Sequence, residues 1–172
     1  MKIVLATSNS DKVREIKDFL KDYEIYALCE ICEPFEIVED GATFAANALI
    51  KARAVQAKLR ELNLADEFIA LSDDSGISVE ALGGRPGIYS ARFSDMNERG
   101  QIAGKSATDA SNRAKLISEL NALNLTSSPA FYTACIAVSS NLGDFTAHGF
   151  MHGTAICQER GSNGFGYDSL FI

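Results

Sequence analysis

Up to Leu71 the chain alternates short apolar runs with stretches of helical spacing, and from Asp109 it changes to one helical stretch followed by two strand-like runs. Lys2 to Thr7 reads as a buried strand, Asp11 to about Lys21 as a helix with Val13, Ile16, Phe19 and Leu20 on one face, and Glu24 to Leu28 as a second strand. Thr43 to Leu62 is the longest helical pattern, rich in Ala, Leu, Lys and Arg. Phe68 to Leu71 reads as a third strand and Ile77 to Ala81 as a fourth, with Gly83-Gly84-Arg85-Pro86-Gly87 as loop. Asp109 to Leu123 resumes helical spacing. Ala130 to Ser139 and Phe145 to Ile156 then make a hairpin about Asn141-Leu142-Gly143-Asp144, and a glycine-rich loop, Gly161 to Gly166, follows. Strands that first alternate with helices and later pair directly predict an α/β protein with a mixed sheet.

With 172 residues, 47% of them hydrophobic, the chain can bury a sizeable core without disulfide or metal. The simplest count is one domain over 1–172, arranged as two lobes around a cleft. A net charge of −7 argues against a nucleic-acid or anionic-membrane surface, because phosphate backbones are bound by excess Lys and Arg. Ile3 to Ala6 is too short for a signal-peptide apolar region and no run is long enough to span a bilayer, so a cytoplasmic protein is expected. Cys29-Glu30-Ile31-Cys32 has the spacing of a zinc or redox pair. It has no second such pair, and His148 and His152 lie far along the chain in a strand-like run, so free thiols are favoured over zinc.

Four segments carry residues suited to chemistry. In Asp73-Asp74-Ser75-Gly76 two adjacent carboxylates follow an apolar run; the composition suits a plain turn, or two anions held together by a divalent metal. Thr7-Ser8-Asn9-Ser10-Asp11-Lys12 ends a strand and opens a helix. There free backbone N–H groups and an ammonium can cradle phosphate, or Ser10 or Asp11 can serve simply as N-cap. Lys51 falls on the helix face of Phe44, Ala48, Val55 and Leu62, where an ammonium must snorkel out or meet an anion. Glu39, just before that helix, can cap it or add an oxygen donor for a metal. In Gly164-Phe165-Gly166-Tyr167-Asp168 the two aromatics can stack on a base or pack into the core, and Asp168 can accept from base, ribose or the loop itself.

These segments, in this order, resemble the inosine triphosphate pyrophosphatase family of the XTP/dITP diphosphatase type. The matching pieces are Ala6 to Lys12, Glu39-Asp40-Gly41-Ala42-Thr43-Phe44 with Asn47-Ala48 and Lys51-Ala52, Asp73 to Gly76, Leu82 to Arg92, and Gly164 to Asp168. The resemblance implies a two-lobed α/β fold with an elongated mixed sheet flanked by helices, a central substrate cleft and a homodimer. It implies magnesium-dependent hydrolysis of ITP, dITP or XTP to the monophosphate and pyrophosphate. It assigns Thr7, Ser8, Asn9, Ser10, Asp11 and Lys12 to the triphosphate, Lys51 to its neutralisation, and Glu39, Asp73 and Asp74 to the metal. Asp74 becomes the proton acceptor for the attacking water, with Ser75 beside the substrate and Phe165, Gly166, Tyr167 and Asp168 at the nucleoside end. Two departures accompany it: Ala46 stands where many relatives have a glutamate, and residues 1–172 do not include the family's later segment with a lysine and a Ser-His-Arg motif that recognises the purine. A non-catalytic nucleotide-binding module and a general metal-dependent phosphatase are the alternatives.

Overall fold

The computed structural model describes residues 2–97 and 99–172; Met1 and Glu98, both within the predicted 1–172 domain, lie outside the described residues. The order of the principal elements is β1 (Lys2–Leu5), α1 (Ser10–Phe19), β2 (Ile25–Ala27), α2 (Phe44–Glu61), β3 (Phe68–Val79), α3 (Asp109–Ala122), β4 (Ser127–Ser140) and β5 (Gly143–Ile156). Among the described residues the strands form one five-stranded sheet in the order β2-β1-β3-β4-β5. β1 runs parallel to both β2 and β3, with Leu5 opposite Ala27 on one side and Leu71 on the other. β4 and β5 are joined by Asn141 and Leu142 alone, a connection that only antiparallel neighbours allow, so the sheet is mixed and the fold is α/β.

By internal contacts the chain divides into two compact units, residues 1–74 with 134–149 and residues 75–133 with 150–172. In the first unit the sheet is covered on both faces. On one, Val55 and Leu59 of α2 meet Val4, Ala6 and Ala70, and Ala48 and Ala52 meet Cys135 and Ala137. Burying a side chain such as Leu59 or Val55 fully contributes roughly 1.5–3 kcal/mol, which is what fixes α2 to the sheet. On the other face Val13, Ile16 and Leu20 pack on Ile3, Leu5 and Leu71. Phe19 does not join them and stays 87% exposed, against expectation. At 100° per residue it lies about 90° from the centre of the Val13, Ile16, Leu20 stripe. The second unit has its own core, in which Leu116 and Leu120 of α3 pack with Ile77, Val79, Phe93, Ala155 and Leu170.

The largest departure from the sequence reading is β3. Two short strands separated by a turn at Asp73 to Gly76 were the expectation; one twelve-residue strand is present, and the Asp-Asp-Ser-Gly run lies inside it. Turn composition yields here to specific partners. The Ser72 hydroxyl donates to the carbonyl of Ala48, and the Ile77 N–H donates to Ser90 Oγ, which itself donates to the carbonyl of Gly87. Gly76 is required by close approach rather than by a turn. A Cβ there would stand 2.4 Å from Ser90 Oγ and 2.5 Å from the Gly87 carbonyl oxygen. Gly76→Ala is therefore expected to destabilise the protein by about 1–3 kcal/mol through overpacking, read as a lower urea midpoint; an unchanged midpoint would contradict this contact.

Candidate active site

The parallel ladder between β1 and β3 ends at Leu5 and Leu71, closed by the Ala6 N–H donating 2.8 Å to the Leu71 carbonyl. β3 continues past this point, so Ser72, Asp73 and Asp74 project beyond the carboxyl end of β1, the edge at which open α/β sheets commonly bind ligands. Successive side chains of a strand point to opposite faces. Ser72 and Asp74 accordingly face α2, and Asp73 faces α1, where Lys12 Nζ donates to Asp73 Oδ2. The two neighbouring carboxylates are thus separated by the pleat, and each meets its own ammonium.

On the α2 side the centre of the arrangement is Lys51. Its Nζ donates to Glu39 Oε2 at 2.7 Å and lies 3.5 Å from Asp74 Oδ1. The Lys51 and Asp74 side chains are only 12% and 14% exposed, and Glu39 is 33% exposed. The lysine on an apolar helix face has met anions rather than snorkelled into water. Glu39 reaches it because the chain before α2 is folded back on the helix: Asn47 Oδ1 accepts from the Gly41 N–H at 2.8 Å, so close that a Cβ on Gly41 would stand 2.6 Å from that oxygen. Thr43, not Glu39, caps α2, accepting from the Ala46 N–H. Asn47 stands one turn before Lys51 and is fully buried, on the same helix face. Sequence reading quoted it without a role; its i, i+4 relation to Lys51 was the available signal.

Asp74 has its carboxyl pushed above the ordinary aspartate range, first by burial and then against the Lys51 charge and a hydrogen bond from Asn47, both of which pull it down. The Glu39 charge adds to the upward push, and Lys12 opposes it. Asp74 Oδ2 is buried and accepts no hydrogen bond among the described residues. Among the described ion pairs Lys12 meets Asp73, and Lys51 is shared by Glu39 and Asp74. Glu39, Asp73 and Asp74 do not converge: among the described residues no group of three His, Cys, Asp or Glu stands ready-made for a metal ion.

At the start of α1 the N-cap is Asn9, where Ser10 or Asp11 was expected. Its Oδ1 accepts from the N–H groups of Asp11 and Lys12 at 2.9 and 3.2 Å, so two of the helix-start donors are already engaged. Thr7 Oγ1 accepts from the Asn9 N–H, Asp11 pairs with Arg14, and Ser8 and Ser10 are exposed.

Ser75, half-buried, and the residues Phe165 to Asp168 belong to the second unit. There Tyr167 is a core residue, 4% exposed, with its hydroxyl donating 2.8 Å to the Ser90 carbonyl. It offers no stacking face, whereas Phe165 is half-buried. Asp168 accepts from the Phe165 N–H and from the Tyr132 hydroxyl. Gly166 is gripped at both ends by α3, its N–H donating to Asp109 Oδ2 and its carbonyl accepting from Arg113 Nη1. Sequence reading missed Asp109 and Arg113, although their i, i+4 spacing puts them on one helix face.

A buried carboxyl held above its unfolded value favours the protonated native state. Its stabilising contribution is complete below the unfolded value and is lost as pH rises through the folded one. Asp74→Asn removes that loss. Thermal melts of both proteins from about pH 4 to 8 should show the difference moving in favour of the variant as pH rises; a pH-independent gap, or one moving the other way, would contradict the burial account.

Comparison with known proteins gives the family. A model of the Ham1 family matches residues 3–172. The dITP/XTP pyrophosphatase of Campylobacter concisus is 74% identical over all 172 residues, which cover 81% of that protein, and the one from Campylobacter fetus is 67% identical, with 80% covered. Among solved structures, the Staphylococcus aureus Ham1 protein superposes with a TM-score of 0.77 at 31% identity, and a HAM1 protein from Coxiella burnetii with 0.75 at 35%. These cover 99% of this chain and 80% and 81% of those chains. The match along nearly the whole chain, in sequence and in fold, makes this protein a member of the Ham1 family.

Proposed function

We propose that the protein hydrolyses non-standard purine nucleoside triphosphates, ITP, dITP and XTP, to the monophosphate and pyrophosphate, and so removes them from the nucleotide pool. The observation that carries this reading is the buried Asp74 carboxylate held beside Lys51 and Glu39 at the carboxyl end of β1, with Lys12 on the other side of the pleat. The relatives' name, dITP/XTP pyrophosphatase, supports the substrate class.

Asp74 acts on water. Burial makes its carboxylate a better proton acceptor than an exposed aspartate, while the Lys51 charge opposes that rise by favouring the ionised form. Water is thereby aimed at the α–β anhydride, its proton passing to Asp74 as the new P–O bond forms and pyrophosphate leaves. Lys12 and Lys51 exchange part of their carboxylate contact for phosphate oxygens, and Thr7 to Asp11 line the triphosphate. Phe165 to Asp168, held by Asp109 and Arg113, are assigned to the nucleoside end on the family resemblance.

The residues fit a magnesium ion. The buried Asp74 Oδ2, which accepts no hydrogen bond among the described residues, and the sharing of Lys51 between Asp74 and Glu39 both favour a hard cation before a polyphosphate can settle beside these two carboxylates. Magnesium takes one or two carboxylates and lets water and phosphate fill the rest, so Asp74 with Glu39, which share Lys51, suffices. When bound it supplies charge neutralisation of the phosphates. The proposal extends to a homodimer in the cytoplasm on the family resemblance; no helix among the described residues is long and apolar enough to cross a membrane.

The test is product analysis with ITP and GTP, with and without magnesium. Pyrophosphate released from ITP in preference to GTP, and only with the metal, is expected. Inorganic phosphate as the product, or equal rates on both nucleotides, would overturn the reading. Asp74→Asn should fold and lose turnover by about 100-fold or more; wild-type turnover in that variant would remove Asp74 from its role.

A further inference from the structure

The Cys29 and Cys32 pair plays no part in the site above, and the two residues stand three apart on one short turn. Residues Leu28–Glu30 form a 3-10 turn, and the Leu28 carbonyl accepts from both the Ile31 and the Cys32 N–H at 3.0 Å, so residues 28–32 make one continuous helical turn. Glu30 fastens that turn from between the cysteines: its Oε2 accepts from the Ala27 N–H at 2.6 Å and pairs with Lys17 at 3.0 Å. Residues three apart on such a turn share a face, with Cα atoms about 5–6 Å apart from the helical rise, inside the 4.4–6.8 Å range that a disulfide spans.

The two thiols differ in surroundings. Cys29 is exposed, whereas Cys32 is half-buried against the cluster of Leu28, Val55 and Leu59, and the Lys58 ammonium lies within electrostatic reach of it. The other two cysteines are poor competitors. Cys135 is buried in β4 and Cys157 donates its thiol to the Leu125 carbonyl, and burial pushes both thiols up.

We propose that Cys29 and Cys32 are an oxidation site that closes reversibly to an intramolecular disulfide with hydrogen peroxide as oxidant. The exposed Cys29 sulfur attacks a peroxide oxygen and the O–O bond breaks. Hydroxide leaves, takes the thiol proton and becomes water, giving a sulfenic acid. The Cys32 sulfur then attacks the Cys29 sulfur, the S–O bond breaks, and the hydroxyl leaves with the Cys32 proton as a second water. Two thiols lose two electrons and the peroxide gains them.

The test exposes the reduced, folded full chain to stoichiometric hydrogen peroxide, followed by intact mass, thiol counting and cleavage after glutamate. The expected result is a mass lower by about two hydrogens and two of the four thiols lost, both restored by dithiothreitol. Because Glu30 lies between the cysteines and the Glu33–Pro34 bond resists cleavage, fragments 25–30 and 31–36 should remain joined until reduced. Cys32→Ser should instead gain oxygen at Cys29, and Cys29→Ser should lose no hydrogens. Oxygen added to Cys29 in the wild-type chain while Cys32 stays a free thiol, cross-linked chains, or four intact thiols would each overturn the proposal.

Discussion

The pleat of β3 at Asp73 and Asp74 is the constraint on which the site depends. Adjacent carboxylates on a turn would point into one environment and raise each other's cost of ionisation. Inside a strand they point to opposite faces, and the parallel pairing of β1 with β3 ends just before them. The strand is therefore free of its β1 neighbour where the acids begin, and each helix that covers a sheet face delivers one lysine, Lys12 from α1 and Lys51 from α2. The same two helices bury the apolar residues just upstream, Leu71 under α1 and Ala70 under α2, so the packing that stabilises the first unit also sets the charges.

Lys51 links this geometry to chemistry. It is shared by Glu39 and Asp74, and the shared ammonium offsets only part of the cost of burying Asp74, whose carboxyl stays above the usual range. That compromise suits a proton acceptor, since a fully compensated aspartate is too weak a base. Asn47 completes it by holding both Gly41 and Asp74, which ties the segment carrying Glu39 to the helix carrying Lys51.

Much of this was legible in the residues. The helices at Thr43 and Asp109 were announced by long helical spacing, and Thr43 and Thr108 cap them as small polar residues do. The meeting of Lys51 with an anion was one of two open readings of an ammonium on an apolar face. Other features were not legible. Asp-Asp-Ser-Gly carries turn composition, and only the hydrogen bonds of Ser72 and Ile77 and the crowding at Gly76 reveal a strand. Once the run is a strand, the expectation of two carboxylates facing one metal changes to two carboxylates on opposite faces. Tyr167 looked equally fit for stacking or for the core, and its bond to Ser90, remote in sequence, decided for the core.

The most direct test of the central claim, that burial raises the Asp74 carboxyl and that Lys51 opposes this rise more than Lys12 does, is the titration of its carboxyl carbon by NMR in the wild-type chain, in Lys51→Met and in Lys12→Met. The account predicts a wild-type value above the ordinary aspartate range, a marked further rise in Lys51→Met and a smaller one in Lys12→Met. An ordinary wild-type titration, or equal rises in the two variants, would contradict it.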